Sequence, residues 1–255
     1  MTKLFPHMSD SPERSQVMGG LSYGGVAFVV LPFTFTLFLF QRNPDEILLF
    51  LEFLYQILNF SMMLAIFRSY LQDSWLNVSL DFKKVMGVSV TAAAMIAGLY
   101  LLYAAAGAAE LFESADLVFV GSLPMTGIEL MMLPGEFVSL GGLPAMVVLV
   151  VLGPVTASCL FYATAFAPVC VSGKRWQAYL SVSALLAVPR IITACTVWGG
   201  WKELPLYLAQ LPIHWIACWS YQKTNTIWAP IFAHALVNMI SCCVLVVMRS
   251  AGFFG

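Results

Sequence analysis

Apolar residues run in long, nearly unbroken stretches over 21–41, 47–67, 85–109, 143–167, 176–199, 204–221 and 227–248, and the charged residues collect in the short segments between them. A helix rises ~1.5 Å per residue and the hydrocarbon layer of a bilayer is about 30 Å thick, so each stretch is long enough to cross. The pattern predicts an all-α fold, a polytopic transmembrane helix bundle of seven spans. Between the third and fourth spans, residues 110–142 hold Glu110, Glu113, Asp116, Glu129 and Glu136 together with Pro124, Pro134 and several glycines. That mixture predicts an amphipathic or re-entrant segment. If 118–140 crosses fully instead, the count becomes eight and the C-terminus changes side. No internal repeat or soluble domain is visible, so residues 1–255 read as a single membrane-embedded domain.

Composition agrees with the pattern: 60% of residues are apolar and 10% charged, and the mean hydropathy is +0.87. The net charge of −1 leaves no basic surface for nucleic acid, and the bilayer itself is the expected surrounding partner. Residues 1–16 are polar and mixed in charge, unlike a cleaved signal peptide, which predicts that the first span stays as an anchor. Lys3, Arg14, Arg68, Lys83, Lys84, Lys174, Arg175 and Lys223 fall on one side of a seven-span layout and Arg42, Lys202 and Arg249 on the other. Basic residues favour the cytoplasmic side, so a multi-pass integral membrane protein with a cytoplasmic N-terminus is expected.

Small residues show how such a bundle packs. Ala92, Ala93, Ala94, Ala97 and Gly98 give the third span small faces, and Gly19, Gly20, Gly24 and Gly25 do the same at the start of the first. Such faces let helices approach closely where lipid offers no apolar driving force between them. The Phe-rich run from Phe28 to Phe40 reads as lipid-facing.

The candidate chemistry lies near the C-terminus. In the segment from Trp228 through Pro230 to Asn238, His234 and Asn238 stand four residues apart in an apolar helix. That spacing puts both on one face, where an imidazole and an amide can hold one ligand atom or oxyanion. Ionisable groups at membrane depth mark functional sites by default.

The order of residues Trp219 to Thr224, then Ile227 to Ile231, then His234 and Asn238, resembles the final motif of the CAAX-protease and bacteriocin-processing family of intramembrane proteins. The likeness extends over 143–245. It implies a glutamate-dependent endopeptidase: a Glu pair with an Arg five residues after the first Glu, a Phe followed four residues later by His on the next helix, and the His/Asn helix last. A Glu of raised pKa would activate water, the preceding His would position it, and the last pair would stabilise the oxyanion. This chain departs where the chemistry is concentrated. After Pro154, the Glu and Arg positions fall in a run from Ala157 and Ser158 to Tyr162, which lacks both carboxylates and the guanidinium. In the fifth span Leu186 stands for the Phe and Arg190 for the His. An Arg does not give up its proton and cannot serve as a general base.

Arg190 at such depth costs on the order of 2.5–3.5 kcal/mol even on a lenient insertion scale, so it needs a partner. Backbone carbonyls freed by Pro189, or Glu52, would supply a structural one; a peptide carboxylate or lipid phosphate would supply a functional one. His234 and Asn238 have the same two accounts, interhelical hydrogen bonding or ligand contact. His214, beside Trp215, reads as a satisfied interior residue, and Tyr162 can donate a hydrogen bond that closes part of the old polar cavity. The six cysteines, all from Cys159 onward, show no metal-ligand spacing and sit in apolar helical settings, so neither a metal nor another cofactor is expected.

The expected function is a catalytically inactive relative of these endopeptidases that binds a membrane peptide or membrane protein as a chaperone, immunity factor or scaffold. Arg190, His234, Asn238, Tyr162 and Ser158 are the candidate binding residues. Two alternatives stand beside it: an active endopeptidase with displaced catalytic residues such as Glu52, Glu129 or Glu136, and a transporter or channel using Arg190 and the histidines.

Overall fold

The computed structural model describes residues 6–27, 45–105, 146–196 and 203–250. All regular structure among them is helical, with no strand. The helices are α1 (Arg14–Gly25), α2 (Asp45–Leu80), α3 (Phe82–Ala105), α4 (148–171), α5 (Arg175–Thr196), α6 (Glu203–Thr224) and α7 (Trp228–Ser250). The segment at 110–142, the eight-span alternative that depends on it, and the Phe-rich part of the first span lie outside the described residues. Among the described residues two stretches, Phe82–Leu99 and Val150–Val171, are long and apolar enough to cross a membrane, and Trp228–Ile240 is a shorter apolar stretch.

Helix α4 is the axis of the bundle. It is wound in alternating segments: π-helical Val148–Leu152 and Ser158–Phe166, α-helical Gly153–Ala157 and Ala167–Val171. Pro154 and Pro168 each open an α-helical segment, where their missing N–H interrupts the ladder of the wider winding before them. A π-helical run as long as Ser158–Phe166 is uncommon, and π geometry concentrates at functional sites. Every residue from Gly153 to Thr164 is buried. Helices α1, α2, α5 and α7 pack around α4, and α6 packs on α3, α5 and α7. Phe161, Tyr162 and Phe166 of α4 form the main apolar core with Met63 and Phe67 of α2, Leu186 of α5 and Tyr221 of α6.

Two helices differ in extent from their hydropathy. Helix α1 begins at Arg14, before the apolar run starts, because Glu13 and Gln16 form a capping box: the Glu13 N–H donates to Gln16 Oε1 at 3.0 Å. The Gln16 amide also donates to Ile66 O at 3.2 Å and Ser69 Oγ at 2.9 Å, tying α1 to α2. Helix α2 continues through polar residues to Leu80, well past 67. Its 36 residues rise ~54 Å. Tyr70, Leu71, Ser74 and Val78 keep a buried stripe at helical spacing there, which mean hydropathy does not register.

Of the α1 glycines, Gly20 makes the close approach that the small-residue face predicts. A Cβ on Gly20 would lie 2.5 Å from Thr164 Cγ2 and 2.8 Å from Phe67 Cζ, so α1 rests directly on α4 and α2. On α3, Ala93 and Ile96 pack with Ile213 of α6 and Val237 of α7.

The N-terminal residues Pro6 to Glu13 form a non-helical strap across one end of the bundle. Met8 is buried, and the backbone N–H groups of Ser9 and Asp10 donate to Asn225 Oδ1 at 2.7 and 2.9 Å. Asn225 Nδ2 returns a bond to Ser9 Oγ at 2.9 Å. Asn225 occupies the α6–α7 turn at φ +55°, a left-handed conformation that Asn tolerates through local hydrogen bonding. Asp10 Oδ2 accepts from Tyr70 at 2.8 Å, Ser74 at 3.0 Å and Tyr221 at 3.4 Å, and the two tyrosine hydroxyls also bond to each other. Ser74 and Thr226 are hydrogen-bonded at 2.9 Å, and Ile227 N donates to Ser74 Oγ at 3.1 Å. Strap, α2 and the entry to α7 are thus held as one polar knot.

Two outcomes follow from this packing. Gly20→Ala forces α1 off Thr164 and Phe67 and should cost about 1–3 kcal/mol, read as a lower melting temperature in detergent; an unchanged melting temperature would contradict the contact. Burial holds the Asp10 carboxyl above its ordinary range, the hydroxyl donors Tyr70, Ser74 and Tyr221 pull it back, and the Asp73 charge adds a smaller push upward. A raised folded-state pKa favours the protonated form, so this contribution to stability is present below the ordinary carboxylate range and is lost as pH rises through the raised value. Melting curves against pH should show that slope in the wild type and not in Asp10→Asn, while Asp10→Ala, which removes the acceptor that three hydroxyls share, should melt lower at every pH.

Candidate functional site: a buried polar group between α4, α6 and α7

The position of α7 is set at its first turn. Trp228 Nε1 donates to Leu71 O at 3.0 Å, Ser89 Oγ of α3 donates to Ala229 O at 3.1 Å, and Ala229 is enclosed by Val78 and Val85. With that end fixed, the face carrying Ala233, His234, Val237 and Asn238 turns inward, and Met239 and Ile240 turn outward. The four-residue spacing therefore delivers both His234 and Asn238 to the interior, as expected.

On α4, Ala157, Ser158 and Tyr162 are all buried. Tyr162 OH lies 2.9 Å from Nδ1 of His214 on α6, and the ring of Phe161 meets the same imidazole edge-on at a centroid distance of 5.5 Å. His214 on α6 and His234 on α7 are both buried, and α6 and α7 pack against each other. Tyr162 and His214 thus tie α4 to α6, and His234 lies on the buried face of α7, a helix that packs against both. Next to His214, Trp215 Nε1 donates to Ser183 Oγ of α5 at 3.0 Å, which steadies α6 from its other side.

Leu186, at the position of the expected Phe, is buried in the main core. Arg190 falls on α5, but its side chain, like those of Glu52 and Glu203, lies outside the described residues, as do Glu129 and Glu136. Tyr162 and His214 were each legible as polar candidates; their pairing was not, because it joins residues 52 apart through helix packing that no spacing encodes.

Two atoms in this region have unspent hydrogen-bonding capacity. Ser158 Oγ and His234 Nε2 are buried and make no hydrogen bond among the described residues. Unmet buried polar atoms cost free energy, so each is a point where an arriving ligand group gains a bond. A hydroxyl and an imidazole nitrogen can each donate or accept one hydrogen bond. The fully buried side chains among the described residues include hydroxyls, amides and imidazoles and no carboxylate, Asp10 in the strap being half-buried. No group of three or more His, Cys, Asp or Glu among them has metal-ligating geometry.

Residues 139–240 match the sequence model of the family described as type II CAAX prenyl endopeptidase Rce1-like. No curated protein and no solved structure matches the chain. The matched stretch runs from before α4 into α7 and takes in Ser158, Tyr162, His214, His234 and Asn238, the residues that the bundle buries. Over these helices the chain is similar to the CAAX-protease family.

Proposed function

We propose that this protein keeps the intramembrane bundle of the CAAX-protease family without its hydrolytic step, and binds a membrane peptide or membrane protein at the polar group between α4, α6 and α7. In this reading it is an integral, multi-pass protein of seven spans with its N-terminus in the cytoplasm, acting as a chaperone, immunity factor or scaffold. The observation that carries the proposal is the pair Ala157 and Ser158, buried in α4 where the family resemblance calls for glutamates. Peptide hydrolysis by such a site needs a carboxylate to take a proton from water, a contribution of about 10²–10⁴ in rate from a positioned base. Neither side chain can do so. Tyr162, in the place of the Arg, is a neutral hydroxyl hydrogen-bonded with His214.

Binding rests on the groups that remain. Ser158 Oγ and His234 Nε2 have capacity for one polar ligand group each, and Asn238 lies one turn beyond His234. A peptide segment entering from the bilayer brings backbone carbonyl and N–H groups that meet this need, and lipid gives it no competing partner. Arg190 adds a cation on α5 for an acidic terminus in the same reading.

Co-purification in mild detergent followed by mass spectrometry of bound species tests the proposal. The wild type should retain a protein or peptide that His234→Ala/Asn238→Ala loses while keeping its melting temperature within a few degrees; an identical bound set in both proteins would contradict it. The tie to α6 has its own check. Tyr162→Phe leaves His214 Nδ1 with an unmet bond and should cost about 1–3 kcal/mol, seen as a lower melting temperature. Unchanged unfolding in that variant would remove the Tyr162–His214 bond from the account.

A further inference from the structure

A second site, sharing no residue with the polar group above, opens where the strap crosses the α4–α5 turn. A cavity of about 510 Å³ lies there, within the range of small-ligand sites. Lys174, Arg175 and Trp176 form one wall, and Pro6, His7 and Gln222 form the other. The described residues lining it include no carboxylate.

Its construction follows from local chemistry. Gly173, at φ +83°, reverses the chain between α4 and α5 in a conformation open to glycine, and so sets Lys174 and Arg175 at the head of α5. The Arg175 guanidinium sits 5.5 Å from the centroid of the Trp176 ring, which limits its freedom before any ligand arrives. Gln222 Nε2 donates to Pro6 O at 3.0 Å and holds the strap as the far wall. Helix α5 begins with no acidic residue in its first turn.

We propose that this cavity binds a phosphate group, that of an anionic phospholipid head group. The cations supply the recognition: a guanidinium in a fixed orientation and an ammonium beside it match phosphate oxygens. The place supplies the source. The membrane-length stretch Val150–Val171 ends three residues before Lys174, which puts the cavity at the head-group level of a bilayer crossed by α4. Trp176, 66% exposed beside it, is the residue type that membrane interfaces collect. An anionic head group seated there bridges the strap to α5.

Native mass spectrometry of the full chain in neutral detergent tests the site, with phosphatidylglycerol, phosphatidylcholine and inorganic phosphate as probes. The wild type should hold phosphatidylglycerol about tenfold or more tightly than Lys174→Gln/Arg175→Gln does, because two cations near the head group are removed. Lys83→Gln/Lys84→Gln, which removes a basic pair elsewhere, should bind as the wild type does, and Lys174→Arg/Arg175→Lys, which keeps both charges but takes the guanidinium off Trp176, should fall between the wild type and the Gln variant. Failure of inorganic phosphate to displace the lipid supports the head group as the ligand; displacement, with the same loss in the Gln variant, supports a phosphate site filled from solution. Equal retention in the Lys174/Arg175 Gln variant, an equal loss in the Lys83/Lys84 variant, or equal binding of phosphatidylcholine would overturn the proposal.

Discussion

The bond between Tyr162 and His214 is the interaction on which the interior depends. A phenol and an imidazole buried among apolar side chains have no water to fall back on, so each must find a partner within the bundle. By finding each other they fix the rotation of α6 against α4, and with it the side of α6 that meets α7. The inward face of α7 is held by Val237 against Ala93 and Ile96 of α3. At the other end of α7 the turn at Asn225 is pinned by the strap and by Asn77, whose Nδ2 donates to Asn225 O at 3.2 Å. The helix that carries the family's last motif is therefore placed from both ends.

The departures from the family pattern on α4 make sense together. Breaking a buried ion pair by removing one partner typically costs about 3–5 kcal/mol, because the other charge is left without compensation, whereas replacing the whole set by neutral residues is often close to neutral. Ala157, Ser158 and Tyr162 stand where a Glu pair and an Arg are expected, so both signs of charge are absent at once. The result is a helix that buries every residue from Gly153 to Thr164 with hydroxyls as its polar groups. In the proposed reading, a site lined by neutral donors and acceptors holds a peptide without cleaving it.

Much of this arrangement was legible in the chain, and the reasons for the rest are physical. Apolar runs located α3 to α7 because burial and length both act on the same residues. His234 and Asn238 were legible because helical periodicity alone puts them on one face. The approach of α1 to α4 at Gly20 was legible as a small-residue face, although its partner Thr164 was not. The extension of α2 from 68 to 80 was hidden because Tyr70, Ser74 and Asn77 are polar residues that face protein, and a hydropathy average counts them as exposed. The strap was hidden for a different cause: its bonds run from backbone N–H groups to a residue more than two hundred positions away, and no local pattern records them. The π-helical winding of α4 likewise depends on surroundings on every side.

The most direct measurement is a cleavage assay on the purified protein reconstituted in lipid, using prenylated CAAX-type peptides and membrane-protein fragments, with products identified by mass spectrometry. The account predicts no product above the level seen with His234→Ala. A specific product made by the wild type and lost in His234→Ala would contradict it, and would show that water is activated at this site without a carboxylate at position 157 or 158.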